Sequence, residues 1–348
     1  MHSDHRSLQH VKMSHMKKLL FRLLLVFLFF ISFVTYYCSY AVIQSYKSWE
    51  TSPNSSMLPC DGVRMQHKWE SLHLNISKLS HLFLKVEDFF WQKHLSNQAL
   101  PYGVKGSEQL LLKILSIINQ KVPEDIANLE CRTCVVVGNG FSIKNTSLGG
   151  VIDKHNVVIR LNDAPVRGYE EDVGRKTTMR FFYPESATNN PDLHNNPDTL
   201  MVMVPFKQQD LYWLKSIVNN EKRVREGFWK PPPLIWLGDV SKLRVLDPYY
   251  FHETANRLLK IPLPSKKETT VHPTTGMLAI FVALNYCDVV HIAGFGYPSF
   301  KNKSDPIHYY GYDTLKQMED STHDVNIEAS ALKMLEDLEA IVYLHPQS

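Results

Sequence analysis

The chain has 348 residues, 38 basic against 35 acidic, and a net charge of +3. That near balance gives no broad basic face for nucleic acid, and the length leaves room for about one catalytic domain once the uncharacteristic first hundred or so residues are set aside. Leu23 to Ile43 carries no charge, and Leu19 to Phe21 extend the apolar run past Arg22, so residues 19–43 are expected to span a membrane as a helix. Arg6, Lys12, Lys17, Lys18 and Arg22 precede it, which keeps residues 1–18 cytosolic and sends the rest to the lumen. A cleaved signal peptide ending near Ser39-Tyr40-Ala41 fits less well, because the apolar run continues beyond it. Residues 44–100 read as a stem, with helical fragments such as Leu72 to Phe90, and residues 101–348 as the catalytic domain.

Within that domain Leu110 to Ile118 suits an entry helix. Cys134 to Val137 is a β-branched run that stops at Gly138-Asn139-Gly140, the pattern of a buried parallel strand ending in a tight turn. Further strands are expected at Val157 to Leu161, Leu200 to Val204 and Val289 to Ala293, with helices at Asp210 to Val218, Tyr249 to Leu259 and Thr275 to Tyr286. The alternation predicts an α/β fold: an open, mostly parallel Rossmann-like sheet flanked by helices, with its site on the carboxyl edge.

A strand followed by glycines is one way backbone amides approach a phosphate, but Ile143 stands where a dinucleotide fingerprint needs a third glycine, which disfavours a dehydrogenase. Asn139 and Asn162 stand at two strand ends; either alone reads as an Asx-turn, while together with the threonines below their donors and acceptors suit a cytosine edge or a ribose. Thr274, Thr275 and Gly276 open a helix, where an anion is favoured. No Asp-x-Asp motif occurs to hold the divalent ion that diphosphate leaving groups generally need. Of sixteen histidines, His308 and His323 lie in polar or aromatic contexts where an imidazole is suited to proton transfer near neutral pH. Cys60, Cys131, Cys134 and Cys287 lie beyond the apolar run, and Cys131-x-x-Cys134 has no second close pair for zinc, so disulfides are expected with the pairing open. Sequons at Asn54, Asn75, Asn145 and Asn302 agree with a lumenal domain.

Residues 131–186, CRTCVVVGNGFSIKNTSLGGVIDKHNVVIRLNDAPVRGYEEDVGRKTTMRFFYPES, resemble the large sialylmotif of animal sialyltransferases. His272 to Pro298, HPTTGMLAIFVALNYCDVVHIAGFGYP, resembles the small one, and His308-Tyr309-Tyr310-Gly311 and His323-Asp324-Val325-Asn326-Ile327-Glu328 follow in the same order as the family's two shorter motifs. The resemblance implies a variant GT-A glycosyltransferase fold and a metal-independent, inverting transfer from CMP-sialic acid, without a cofactor. By position it implies that Asn139 and Asn162 bind CMP, that Thr274, Thr275 and Gly276 line the donor pocket, that His323 is the general base, and that His308 serves the departing phosphate as acid or electrostatic stabiliser. It implies pairing of Cys134 with Cys287 and of Cys60 with Cys131, and a type II Golgi membrane protein.

Val204-Pro205-Phe206-Lys207 with Asp210 and Trp213, and Gly227-Phe228-Trp229-Lys230 with Pro232 and Pro233, are similar to the α2,3-sialyltransferases of β-galactosides; His272-Pro273-Thr274-Thr275-Gly276 and His308-Tyr309-Tyr310 resemble the branch preferring Galβ1,4-GlcNAc ends of glycoproteins and glycolipids. Phe228 and Trp229 suit stacking on sugar faces, while Trp213 suits the core at least as well. The competing readings are the same chemistry on Galβ1,3-GalNAc or lactosylceramide, and a non-catalytic lumenal glycan-binding protein.

Overall fold

The computed structural model describes Leu23 and residues 27–37, 39–40, 81–91, 97–263, 271–296, 306–314 and 323–345. Cys60, Asn54, Asn75, Asn302, the whole tail, part of the anchor and most of the stem lie outside the described residues. Residues 27–37 are helical and solvent-facing; among the described residues no helix is long and apolar enough to cross a membrane.

Seven strands form one sheet: β1 Thr133–Val137, β2 Val157–Leu161, β3 Met179–Phe182, β4 Leu200–Met203, β5 Leu243–Val245, β6 Val289–Ala293 and β7 Val342–Tyr343. Their order is β5-β4-β3-β2-β1-β6-β7, and every neighbouring pair is parallel. Residues on β1 to β4 are buried on both faces, which is why β1 and β4 read as apolar runs rather than as alternation, while β2 and β3 each bury an arginine. The chain winds one way from β1 to β5 and the other way to β6, so the carboxyl ends of β1 and β6 flank a topological switch point, the usual place for a ligand crevice in such sheets.

The helices that position the site are α1 Glu108–Leu115, α2 Gln208–Val218, α3 Pro248–Glu253, α4 Thr275–Tyr286 and α5 Val325–Asp337. Sequence reading placed the third of these through Leu259; there the α-helix ends at Glu253 and a π-helical turn, Thr254–Leu258, continues it. All residues of α4 are buried, consistent with its lack of a polar stripe. It feeds directly into β6 and runs antiparallel to it, so its first turn lies at the carboxyl edge of the sheet. At its other end Cys287 is bonded to Cys134 at the start of β1, across 153 residues of chain.

Leu82, Phe83 and Leu84, inside the segment assigned by sequence to the stem, are core residues. They are extended rather than helical: Phe83 bridges Leu246, and the Leu84 amide donates to Val245 O at 2.9 Å. Within the described part of Leu72 to Phe90, helix begins only at Asp88.

Strands β3, β5 and β7 were not anticipated. Arg180 occupies β3 and Arg244 occupies β5, both buried, and Arg160 on β2 is directly paired with Arg180. Burial pulls each of these guanidinium pKa values down to about 10. Backbone carbonyls receive most of their donors; Arg180 donates to Asn162 O at 2.9 Å, Ala164 O at 3.0 Å and His194 O at 3.1 Å, while Arg160 Nη1 is left without a partner in the protein.

Candidate functional site

A cleft of about 560 Å³ opens at the carboxyl edge and collects Asn139, Asn162, Thr274, Thr275, Gly276, His308 and His323, residues dispersed through the chain. That size is ordinary for a small-molecule site.

One wall is built from the two strand ends at the switch point. Gly138 N donates to Ala293 O at 2.7 Å and Gly140 N to Gly294 O at 2.8 Å. A Cβ on Gly138 would sit 2.4 Å from Gly294 O, so this approach requires glycine. Both glycine amides are consumed in clamping β1 to β6, so neither is turned toward the cleft as a phosphate donor. The polar function of the turn falls to Asn139, whose Nδ2 donates to Tyr310 Oη at 3.3 Å and whose Oδ1 is buried without a hydrogen-bond partner in the protein.

Asn162 follows β2 in the left-handed region, φ 55°, a conformation asparagine tolerates better than most residues. Its N–H donates to Phe181 O at 2.7 Å and its carbonyl receives Arg180, which fixes the backbone and leaves a buried, unpartnered Oδ1 beside the cleft. Residues 306–314 fold over the β1 turn: Phe141 N donates to Ile307 O and Tyr309 N to Asn139 O, each at 3.0 Å. This brings His308 in, stacked on Tyr310 with ring centroids 5.3 Å apart. Burial lowers its pKa below the usual imidazole value, opposed by the carboxylates of Asp313 and Asp163. A phosphate beside it would act in the same direction as those carboxylates.

At the start of α4, Thr274 caps the helix by accepting from Met277 N at 3.1 Å. Its own N–H and hydroxyl donate to the two oxygens of Glu328, at 2.7 and 2.9 Å. Glu328 lies on α5, buried, and burial raises its pKa to about 7 despite those two bonds and with help from the nearby Asp324 charge. Sequence reading quoted Glu328 within a motif but gave it no role; the contact joins residues 54 apart, a relation no local pattern reveals.

His323 precedes α5, and its Nδ1 is 2.8 Å from His272 O. A carbonyl oxygen only accepts, so Nδ1 carries hydrogen and the neutral ring has its basic lone pair on Nε2. His272 is held in turn by Tyr102 Oη at 2.9 Å from its Nδ1.

The other half of the cleft lies at the ends of β3 and β4. Lys207 Nζ is 2.6 Å from the buried Glu185 carboxylate and 3.8 Å from Asp210 Oδ1, the latter too long for a hydrogen bond. Asp210 caps α2 by accepting from Phe206 N and Lys207 N at 2.9 and 3.1 Å, and burial raises its pKa to about 7 against the pull of Lys207. Trp229 lines the cleft with 73% of its surface exposed, and the adjacent Lys230 is 3.3 Å from Asp163. Trp213 is fully buried and donates to Pro233 O at 3.0 Å, so of the two sugar-stacking tryptophans considered only Trp229 is placed for it. Phe228 packs against the core below Lys207.

Cys131 is disulfide-bonded. Asn145 is exposed, its amide donating to Asp172 Oδ2 at 2.8 Å.

The profile of glycosyltransferase family 29 (sialyltransferase) matches residues 83–340, and the chain belongs to that family of enzymes. It is 50% identical over 283 residues, 81% of this chain and 85% of the relative, to CMP-N-acetylneuraminate-beta-galactosamide-alpha-2,3-sialyltransferase 4 of Rattus norvegicus. It is 42% identical over 243 residues, 69% of this chain and 73% of the relative, to type 2 lactosamine alpha-2,3-sialyltransferase of Rattus norvegicus. A crystal structure of a mammalian sialyltransferase in complex with Gal-beta-1-3GalNAc-ortho-nitrophenol shares the fold at a TM-score of 0.62 and 24% identity, over 82% of this chain and 96% of that one.

Proposed function

We propose that this enzyme transfers sialic acid from CMP-sialic acid to the 3-OH of a terminal β-galactose, with Galβ1,4-GlcNAc as the acceptor end. The reading follows the names of its close relatives and rests on one observation above all. A histidine whose Nδ1 hydrogen is fixed by a backbone carbonyl shares a cleft with Asn139, Asn162, the first turn of α4 and a second histidine.

In this reading His323 Nε2 takes the proton of the galactose 3-OH as that oxygen attacks the anomeric carbon. The bond from that carbon to the CMP phosphate breaks on the opposite face, which inverts configuration and needs no enzyme nucleophile. Asn139 and Asn162 hold the nucleotide with their buried Oδ1 atoms. Thr275 and Gly276, in the first turn of α4, offer an anion-favouring helix start to the phosphate or the sialic acid carboxylate. His308 stabilises the departing monophosphate or protonates it. The charge to be handled is that of a monophosphate, which imidazole and amide donors suffice to carry, so turnover is expected to survive metal removal. Trp229, Lys207 and Glu185 face the acceptor. Residues 19–43 anchor the enzyme in the Golgi membrane as a type II protein, with the stem and catalytic domain lumenal.

The test is the full chain in detergent, given CMP-sialic acid and N-acetyllactosamine with and without EDTA, followed by linkage determination of the product. The expected product is α2,3-linked and forms at the same rate in EDTA. Absence of turnover on a panel of galactosides, with acceptor binding retained, would favour the glycan-binding reading instead.

A further inference from the structure

We propose that His345, a few residues from the C-terminus and outside every motif discussed above, is a positioning residue that sets the donor wall of the cleft. The inference rests on the assignment of that wall to the donor.

After β7 the chain continues along the edge of β6, with Leu344 N donating to Ile292 O at 3.0 Å. The next residue carries its imidazole past the end of β6, where Gly294 N donates to His345 Nε2 at 2.9 Å in a buried contact. Gly294 has φ +70°, and its carbonyl receives Gly140 N at 2.8 Å. Both polar groups of this one residue are thus committed, the oxygen to the turn after β1 and the nitrogen to His345. The following Phe295 is wedged in place: a Cβ on Gly138 or on Gly276 would each come within 3.0 Å of its ring, and its carbonyl receives Ser142 Oγ at 3.2 Å. Gly294 therefore couples the β1 turn that presents Asn139 with the ring that packs under the first turn of α4, and His345 orients the Ala293–Gly294 peptide, whose oxygen receives Gly138 N. An N–H can donate only to a ring nitrogen without hydrogen, so the side chain at 345 must supply an acceptor there, not merely fill space.

The experiment compares the full chain with His345→Leu, which keeps comparable bulk without an acceptor, and His345→Gln, whose Oε1 restores one. CMP binding is measured by titration calorimetry, KM for CMP-sialic acid and for N-acetyllactosamine by initial rates, and folding by thermal unfolding. Loss of one buried hydrogen bond predicts CMP binding and donor KM weakened roughly five- to ten-fold in His345→Leu, with acceptor KM changed less than about two-fold and His345→Gln within about two-fold of the parent. Equal CMP affinity in His345→Leu and the parent overturns the inference, as does a Gln variant as impaired as Leu, or donor and acceptor KM rising together. A parent chain that binds no CMP at all would instead remove the donor reading on which this rests, and the inference with it.

Discussion

Replacing Asn162 with glycine separates what the structure does with its backbone from what it does with its side chain. The backbone is saturated, with the N–H on Phe181 O and the carbonyl on Arg180, and the left-handed φ suits glycine. The side chain holds an Oδ1 that is buried with no hydrogen-bond partner in the protein. Removing such an acceptor returns about 1–3 kcal/mol of desolvation cost, against about 0.4–1 kcal/mol lost to the greater freedom of glycine in the unfolded chain. Folding stability should therefore be unchanged or rise by up to about 2.6 kcal/mol. In the CMP complex the same change deletes a hydrogen bond, for an affinity loss of about 1.4 kcal/mol, or roughly ten-fold. Asn162→Ala loses the same contact but adds left-handed strain of about 1–2 kcal/mol, so it should melt below the glycine variant at equal CMP affinity. Thermal unfolding with and without CMP, together with calorimetric titration, reads both quantities. A glycine variant that binds CMP within two-fold of the parent refutes the assignment of Asn162 to the nucleotide.

His323→Ala should lower kcat on the order of a hundred-fold or more while CMP still binds, and near-parental turnover would exclude His323 as the base. Converting both Cys134 and Cys287 to alanine should cost about 2–5 kcal/mol, because the bond closes a loop across 153 residues; a melting point unchanged from the parent contradicts that. Burial raises the Glu328 and Asp210 pKa values to about 7, above unfolded values near 4, so their contribution to stability is full below about pH 4 and is lost as pH rises through about 7. The double variant Glu328→Gln, Asp210→Asn should then show a melting point less sensitive to pH between about 5 and 7.5 than the parent, and an unaltered slope would show that these carboxyls ionise normally.

The parts of the fold that could be read directly were those whose burial needs no help from elsewhere. β1, β2, β4 and β6 are dominated by apolar residues, and α4 begins and ends where its cap and apolar run say it should. β3 and β5 escaped because each is short with an arginine in it; Arg244 is accommodated by Lys121 O, Ser241 O and Leu243 O, two of which come from outside the strand. β7 is two residues long and exists only through its pairing with β6. At the site, Asn139, Asn162 and Thr274 were legible because strand ends and helix starts have local signatures. Glu328 against Thr274, Glu185 against Lys207 and His345 against Gly294 were not, since each pairs residues remote in sequence through a side chain of no distinctive context.

The complete enclosure of α4 divides the freedom to change unequally around the cleft. A helix touching protein on every side can accept few substitutions of shape or polarity, and its first turn lines the cleft. Across the cleft Trp229 and Lys230 are exposed, whereas Pro184, Glu185 and Ser186 after β3 are buried. Variation of shape and polarity is thus tolerated least on the α4 bank of the cleft, where packing alone restricts it, and most around the exposed Trp229.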